Sequence, residues 1–339
     1  MKQMFIVGNG GPEMLQLRES PDPMPGAHEL RVRVRASGVN FADIMARQGL
    51  YPDAPKKPCV VGYEFSGVVD AVGAGAAPEW MGKAVFGLTR FGGYADTVVV
   101  PQAQVFAKPA QLSHEQCAAI PVNYLTAWQL MVIVGSLRAD ETVLIHNAGG
   151  GVGLAAIDIA RHIGARSIGT ASARKHAFLK ERGLAEAIDY TQGDWRPELM
   201  RLTGDRGAEL ILDALGGSHW KKSYQALRHT GRLGMFGISS ATESKLPGPL
   251  RLLSVVLGLP LYNPISLMND NRAVFGVNMG HLWHEVEKIR VWMGALLQGV
   301  EDGWLRPHVD CSFPLERVGE AQAYIEARRN TGKVVLTVE

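Results

Sequence analysis

Residues 143–153, Val-Leu-Ile-His-Asn-Ala-Gly-Gly-Gly-Val-Gly, constrain the fold of this chain more than any other stretch. Three apolar residues suited to a short buried strand run into a glycine loop, and an apolar helical pattern follows from Leu154 to Arg161. Strand, glycine loop and helix in that order are the context a dinucleotide site needs. Glycines let the backbone turn tightly and approach a pyrophosphate, and the N–H groups at the helix start favour negative charge. The loop departs from G-x-G-x-x-G at its first position, Ala148, while Gly150 and Gly153 hold the other two. A bare tight turn would also use glycines, but it would not need the flanking strand and helix. Ala148, Gly149, Gly150, Gly151, Val152 and Gly153 are therefore expected to bind a cofactor.

At 339 residues the chain exceeds one ordinary core, and two domains are expected. A hydrophobic content of 46% suits a globular enzyme and excludes a disordered one. The net charge of +2, without a Lys/Arg cluster, leaves no electrostatic footprint for nucleic acid. Cys59, Cys117 and Cys311 are odd in number and far apart, which argues against a disulfide framework and a thiolate zinc site. The apolar run at residues 4–7 is too short for a signal peptide, so a cytoplasmic location is expected.

From Leu30 to about Lys108 the pattern is β-like. Leu30, Val32, Val34 and Ala36 alternate with Arg31, Arg33 and Arg35, and short apolar runs between turns follow, which suggests a small antiparallel barrel. Ser113 and Gln116 form a capping-box pattern ahead of a bridging helix over 122–134. Beyond residue 140 strands (142–146, 166–170, 209–213, 232–238) alternate with helices (152–163, 174–182, 195–203, 218–229), the texture of a doubly wound parallel sheet. Helices near 283–299 and 316–328 and a strand at 333–338 complete the chain.

The second strand of the parallel sheet ends in Ala171-Ser172-Ala173-Arg174-Lys175. NAD-binding folds place an acidic residue there for the ribose hydroxyls. A carboxylate would repel a 2′-phosphate, whereas Arg174 and Lys175 attract it and Ser172 can donate to it. NADPH is expected over NADH, with ordinary solvated charges at a helix start as the alternative.

Segments 36–43 (Ala-Ser-Gly-Val-Asn-Phe-Ala-Asp), 49–52 (Gly-Leu-Tyr-Pro), 62–67 (Gly-Tyr-Glu-Phe-Ser-Gly), 122–127 (Val-Asn-Tyr-Leu-Thr-Ala) and the 148–153 loop stand in the order and spacing of a known family. Through them the chain resembles the medium-chain dehydrogenase/reductase superfamily. More narrowly it is similar to the zinc-independent quinone oxidoreductase branch and the vesicle amine transport protein group within it. The resemblance implies an α/β protein. A GroES-like β-barrel catalytic domain (residues 1–122, with 271–339 returning to it) would flank a Rossmann NADPH-binding domain (123–270). It also implies a homodimer and hydride transfer from NADPH.

Zinc-dependent relatives carry Cys, His and Cys or Asp ligands where this chain has Val39-Asn40, Tyr63 and Val122-Asn123, so no zinc is expected. Without a Lewis acid, acceptors that delocalise the developing charge fit best, namely quinones and other small hydrophobic α,β-unsaturated carbonyls. The resemblance makes Asn40, Tyr51 and Tyr63 candidates for polarising the acceptor, Asn40 also facing the nicotinamide. Thr126, Tyr190, Gly237, Phe275, Gly276, Val277 and Lys333 are further cofactor-contact candidates, with packing roles as the plain alternative. His146 is read as a strand-end residue, and no Ser/His/Asp constellation is visible. Apolar segment 246–268, broken by Pro247, Pro249, Arg251, Pro260 and Pro264, does not span a bilayer. It reads as a lid or dimer-surface loop, a wall for a greasy substrate, or a membrane-surface contact. Two rivals stay open: an NADPH-binding, lipid-interacting protein with little reductase activity, and an enoyl-thioester reductase, which would need a basic groove for its substrate's phosphates.

Overall fold

The computed structural model describes residues 1–242 and 257–338, so residues 246–256 of the apolar segment lie outside the described residues. The chain forms two compact units. The first comprises residues 1–125, 279–301 and 307–339, and the second comprises 126–278 and 302–306.

The first unit is built on strand Glu29–Val39. Its alternation works as read: Leu30, Val32 and Val34 enter a core with Phe65, Val69 and Val85. Arg31 and Arg33 on the other face share the Asp70 carboxylate at 2.8 and 2.6 Å. This strand bends at two bulges, after Arg31 and after Val34. One edge is taken first by Thr97–Pro101 and then by Lys333–Thr337, both antiparallel. The terminal strand thus completes the sheet that carries the 36–43 and 62–67 segments. Ser113 caps helix His114–Ala118 through the reciprocal Gln116 bonds.

The second unit holds a six-stranded parallel sheet. Its order is Glu186–Asp189, Arg166–Ala171, Thr142–Ile145, Ala208–Asp213, Leu227–Met235, Ala273–Gly276. Leu144, Ile168, Ile188, Ile211 and Leu233 form its core. Two elements differ from the sequence reading. The helix expected over 218–229 stops at Gln225, because Leu227–Met235 pairs as one long strand with Ala208–Asp213. Glu186–Asp189 is an edge strand, its four residues too few to show a period. Among the described residues no helix is long and apolar enough to cross a membrane.

Candidate functional site

In the second unit the glycine loop runs from Asn147, held at φ 53°, into helix Gly151–Ile163. The N-cap is Gly150, which offers no side chain, so the first-turn N–H groups are not capped by one. A Cβ at Gly153 would stand 2.5 Å from the carbonyl oxygens of Asn147 and Ala148, and one at Gly150 2.7 Å from Asn147 Nδ2. At Gly153 glycine is thus required by close backbone approach. Ala148 holds the first position of the pattern, and its methyl lies against Gly169 of the neighbouring strand, where an added Cβ would come within 2.6 Å.

Lys175 is folded over this loop. Its Cδ would be 2.6 Å from a Cβ on Gly149, with Nζ at 3.3 Å, and the residue is buried. Arg174 is exposed and Ser172 half-buried on the same turn, which follows strand Arg166–Ala171. Tyr190 follows the adjacent strand, where Asp189 registers with Ala171. Gly237 comes just after Leu227–Met235, with a Cβ position 2.9 Å from Ala214 O. Gly276 registers with Met235, and Val277 N donates to Met235 O at 2.9 Å. The structure therefore gathers residues 148–153, Ser172, Arg174, Lys175, Tyr190, Gly237 and Phe275–Val277 at the carboxyl ends of one parallel sheet, where such sheets bind ligands. Thr126, on helix Pro121–Trp128, is buried.

The first unit holds a buried polar cluster. Asn40 starts helix Phe41–Gln48, and its backbone N–H is taken by Asp43 Oδ2 at 2.9 Å. Its side chain turns inward: Nδ2 donates to Glu64 Oε1 at 3.0 Å, and Oδ1 accepts from Lys333 Nζ at 2.7 Å. Lys333 also donates to Glu64 Oε1, while Glu64 Oε2 accepts the Val122 N–H at 2.8 Å. Gly38 forms the floor, since a Cβ there would press on Lys333 Cε at 2.6 Å and Ala118 O at 2.7 Å. Lys333, expected beside the cofactor, thus has its ammonium engaged with Glu64 and Asn40.

Asp43 accepts also from Tyr94 Oη at 2.9 Å and Gly62 N at 3.1 Å. Burial still pushes its carboxyl up to about 6 against those bonds. Gly62, at φ 98°, leads to Tyr63, only 6% exposed. Tyr63 packs with Phe91 at 5.0 Å between centroids, edge-on with Tyr51 at 6.4 Å and parallel to Trp283 at 6.3 Å. Among the described residues its buried hydroxyl has no well-formed hydrogen bond, and burial raises its pKa far above the ordinary phenol value. Asn123 Nδ2 is spent on Ala119 O at 3.1 Å.

These residues do not fit a zinc ion. A catalytic zinc wants thiolate, imidazole or carboxylate donors with an open position. The positions hold an amide that accepts from Lys333, a phenol whose ionisation is suppressed, and a second amide. The carboxylate Glu64 already faces an ammonium. Among the described residues one other group has metal-like spacing, His146, Asp213 and His219, with ligand atoms within 4.8 Å of one another. There Trp195 Nε1–H donates to His219 Nε2 at 3.0 Å, so Nδ1 carries the proton, and it points at Asp213 Oδ2 at 2.6 Å. A metal on Nδ1 would set two N–H groups against each other. This His/Asp/His group is joined by Ser223. Its members lie 67 and 6 positions apart on separate elements, and nothing in the sequence pattern brings them together.

Comparison with known proteins agrees with the fold. Residues 26–110 match the family model "Alcohol dehydrogenase GroES-like domain" and residues 151–293 match "Zinc-binding dehydrogenase". The chain is 37% identical to the Homo sapiens "Synaptic vesicle membrane protein VAT-1 homolog" over 344 residues, covering 99% of this chain and 86% of the relative. It is 31% identical to Homo sapiens "Quinone oxidoreductase", covering 99% and 97%. The structure of Escherichia coli quinone oxidoreductase complexed with NADPH superimposes with a TM-score of 0.87 at 27% identity, covering all of both chains. With a GroES-like unit, a Rossmann-type parallel sheet and this degree of likeness along its whole length, the chain belongs to the medium-chain dehydrogenase/reductase superfamily of oxidoreductases, among the relatives of the VAT-1 homologs and quinone oxidoreductases.

Proposed function

We propose that this oxidoreductase is NADPH-dependent and zinc-independent, and that it delivers hydride to a quinone or another small hydrophobic α,β-unsaturated carbonyl. The observation that carries the reading is Lys175 laid over Gly149, with Ser172 and Arg174 on its turn. It places positive charge beside a loop whose helix start, at Gly153, only glycine allows. The bare loop and helix start fit a pyrophosphate, and the Ser172–Lys175 turn fits a 2′-phosphate. The cofactor supplies the hydride. Tyr51 and Tyr63 offer hydroxyls to the acceptor oxygen, and Asn40 keeps one amide N–H beyond its bond to Glu64. The quinone oxidoreductase relatives support this class of acceptor. A conjugated acceptor needs less charge stabilisation than a simple ketone, in keeping with a Lys333 ammonium already engaged by Glu64 and Asn40. A homodimer in the cytoplasm accompanies this reading.

Titration of purified protein with NADPH and NADH, followed by NADPH oxidation with quinones and enones, tests it. Tighter NADPH binding and turnover of at least one class are expected. Preference for NADH, or inactivity with both classes despite tight NADPH binding, would overturn it. A second reading, attachment to a lipid surface, is favoured by four bare side chains: Leu257 (77% exposed), Leu261 (98%), Ile265 (70%) and Met268 (74%). Vesicle sedimentation that is unchanged when these four become Ser would remove it.

A further inference from the structure

His146, Thr170 and Asp213 stand at the carboxyl ends of three adjacent parallel strands. From Thr142–Ile145 the chain builds outward through Arg166–Ala171, then returns to place Ala208–Asp213 on the opposite side. The order of strands therefore reverses between His146 and Asp213, and sheets of this kind bind their ligands outside such a reversal.

One unbroken hydrogen-bond chain runs across it. Trp195 Nε1–H donates to His219 Nε2 at 3.0 Å, and His219 Nδ1–H donates to Asp213 Oδ2 at 2.6 Å. Ser223 Oγ–H donates to the same oxygen at 2.7 Å and stands 3.3 Å from His146 Nε2, whose proton it accepts. His146 Nδ1 then takes the Thr170 hydroxyl at 3.1 Å. The indole can only donate, so His219 accepts at Nε2 and carries its proton on Nδ1. His219 and Ser223 share a helix face, four residues apart. Asp213 and Ser223 are wholly buried, which excludes a hydrolytic triad for want of access.

The network also grips the loops. Asp213 Oδ1 accepts Leu215 N at 2.8 Å and Gly216 N at 3.4 Å. His146 directly precedes the glycine loop, and Thr170 O accepts Ala148 N at 3.1 Å. Thr170 in turn precedes the Ser172–Lys175 turn.

We propose that Asp213 and His219 are positioning residues: through this network they set the glycine loop and the 214–217 loop for the dinucleotide. The proposal rests on the nicotinamide reading above. The test compares His219→Ala with His219→Asn, whose amide N–H replaces the imidazole Nδ1–H toward Asp213. Three quantities are measured on the full chain: NADPH Kd, acceptor KM, and amide exchange of 147–153 and 214–217 without cofactor. H219A is expected to weaken NADPH about tenfold and to speed exchange in both loops about as much, with acceptor KM unchanged, while H219N returns both toward wild type. Unaltered exchange in H219A, or H219N as impaired as H219A, would overturn the proposal. If wild type does not bind NADPH yet the exchange ranking holds, the NADPH reading falls and the positioning role stands. Should H219A not fold, Ser223→Ala, which breaks one link, is read by the same exchange criterion.

Discussion

At the scale of single residues, the chemistry of the first unit turns on an ammonium and a phenol. Lys333 and Glu64 are both almost fully buried and face each other. Removing one partner of a buried ion pair leaves the other charged without compensation, at about 3–5 kcal/mol. Lys333→Met is therefore expected to lower stability by that order, and the double variant K333M/E64Q to recover at least half of it. Urea midpoints of the two variants check this, and equal losses would mean that Lys333 stabilises by packing alone. Tyr63 presents the opposite case. Its hydroxyl is buried without a well-formed bond, so Tyr63→Phe should leave stability within about 1 kcal/mol of wild type or raise it. If the hydroxyl serves the acceptor, kcat/KM falls about tenfold or more in the same variant. Kinetics that do not change would return Tyr63 to a packing role beside Phe91 and Trp283. Asn40 and Tyr63 were legible from their motif positions. The inward turn of Asn40 was not, since Lys333 lies 293 residues away and only the returning strand brings it there.

At the scale of elements, the glycine loop was the most legible part of the chain because its requirements are local. The sequence pattern does not separate two kinds of glycine within it. A Cβ on Gly149 meets the flexible stem of Lys175, whereas one on Gly153 meets two backbone carbonyls. Gly149→Ala should therefore stay within about 1 kcal/mol of wild-type stability while displacing Lys175 and weakening NADPH several-fold. Gly153→Ala forces the helix start off the strand end and should cost about 1–3 kcal/mol. Thermal melts together with NADPH titration separate the two, and a G149A protein with unchanged NADPH affinity would detach Lys175 from the cofactor. Elements that failed to show in the sequence depend on distant partners. Helix Ser218–Gln225 gives way to a strand because Leu227–Met235 finds partners on both sides, Ala208–Asp213 and Ala273–Gly276. The Leu30–Ala36 alternation, by contrast, carried its burial pattern in its own residues.

At the scale of the whole molecule, Asp43 in the first unit and His146 in the second are buried with displaced pKa values, and the two act on stability with opposite sign. In the second unit burial brings His146 from 6.5 down to about 3, against the pull of Asp213 and with His219 and Lys222 adding to the drop. The unfolded chain then binds more protons between pH 3 and 6.5. That contribution is complete above 6.5 and lost as pH falls toward 3, at about 1.4 kcal/mol per pH unit. In the first unit burial raises Asp43 from 3.8 to about 6, so the folded state binds more protons between those values. Its contribution is complete below 3.8 and lost as pH rises to 6. Between pH 4 and 6 the two slopes cancel, and below 4 the histidine acts unopposed. Asp213 adds to the loss there, since the bonds from His219 and Ser223 and the nearby imidazoles outweigh its burial and hold it at about 2. Urea midpoints at pH 4, 5, 6 and 7 should therefore show opposite deviations from wild type in two variants. Asp43→Asn gains stability with rising pH from 4 to 6, because only the histidine slope is left. His146→Gln loses stability over the same range, because only the carboxyl slope is left. Parallel curves for the two variants would mean that neither group titrates as its burial dictates.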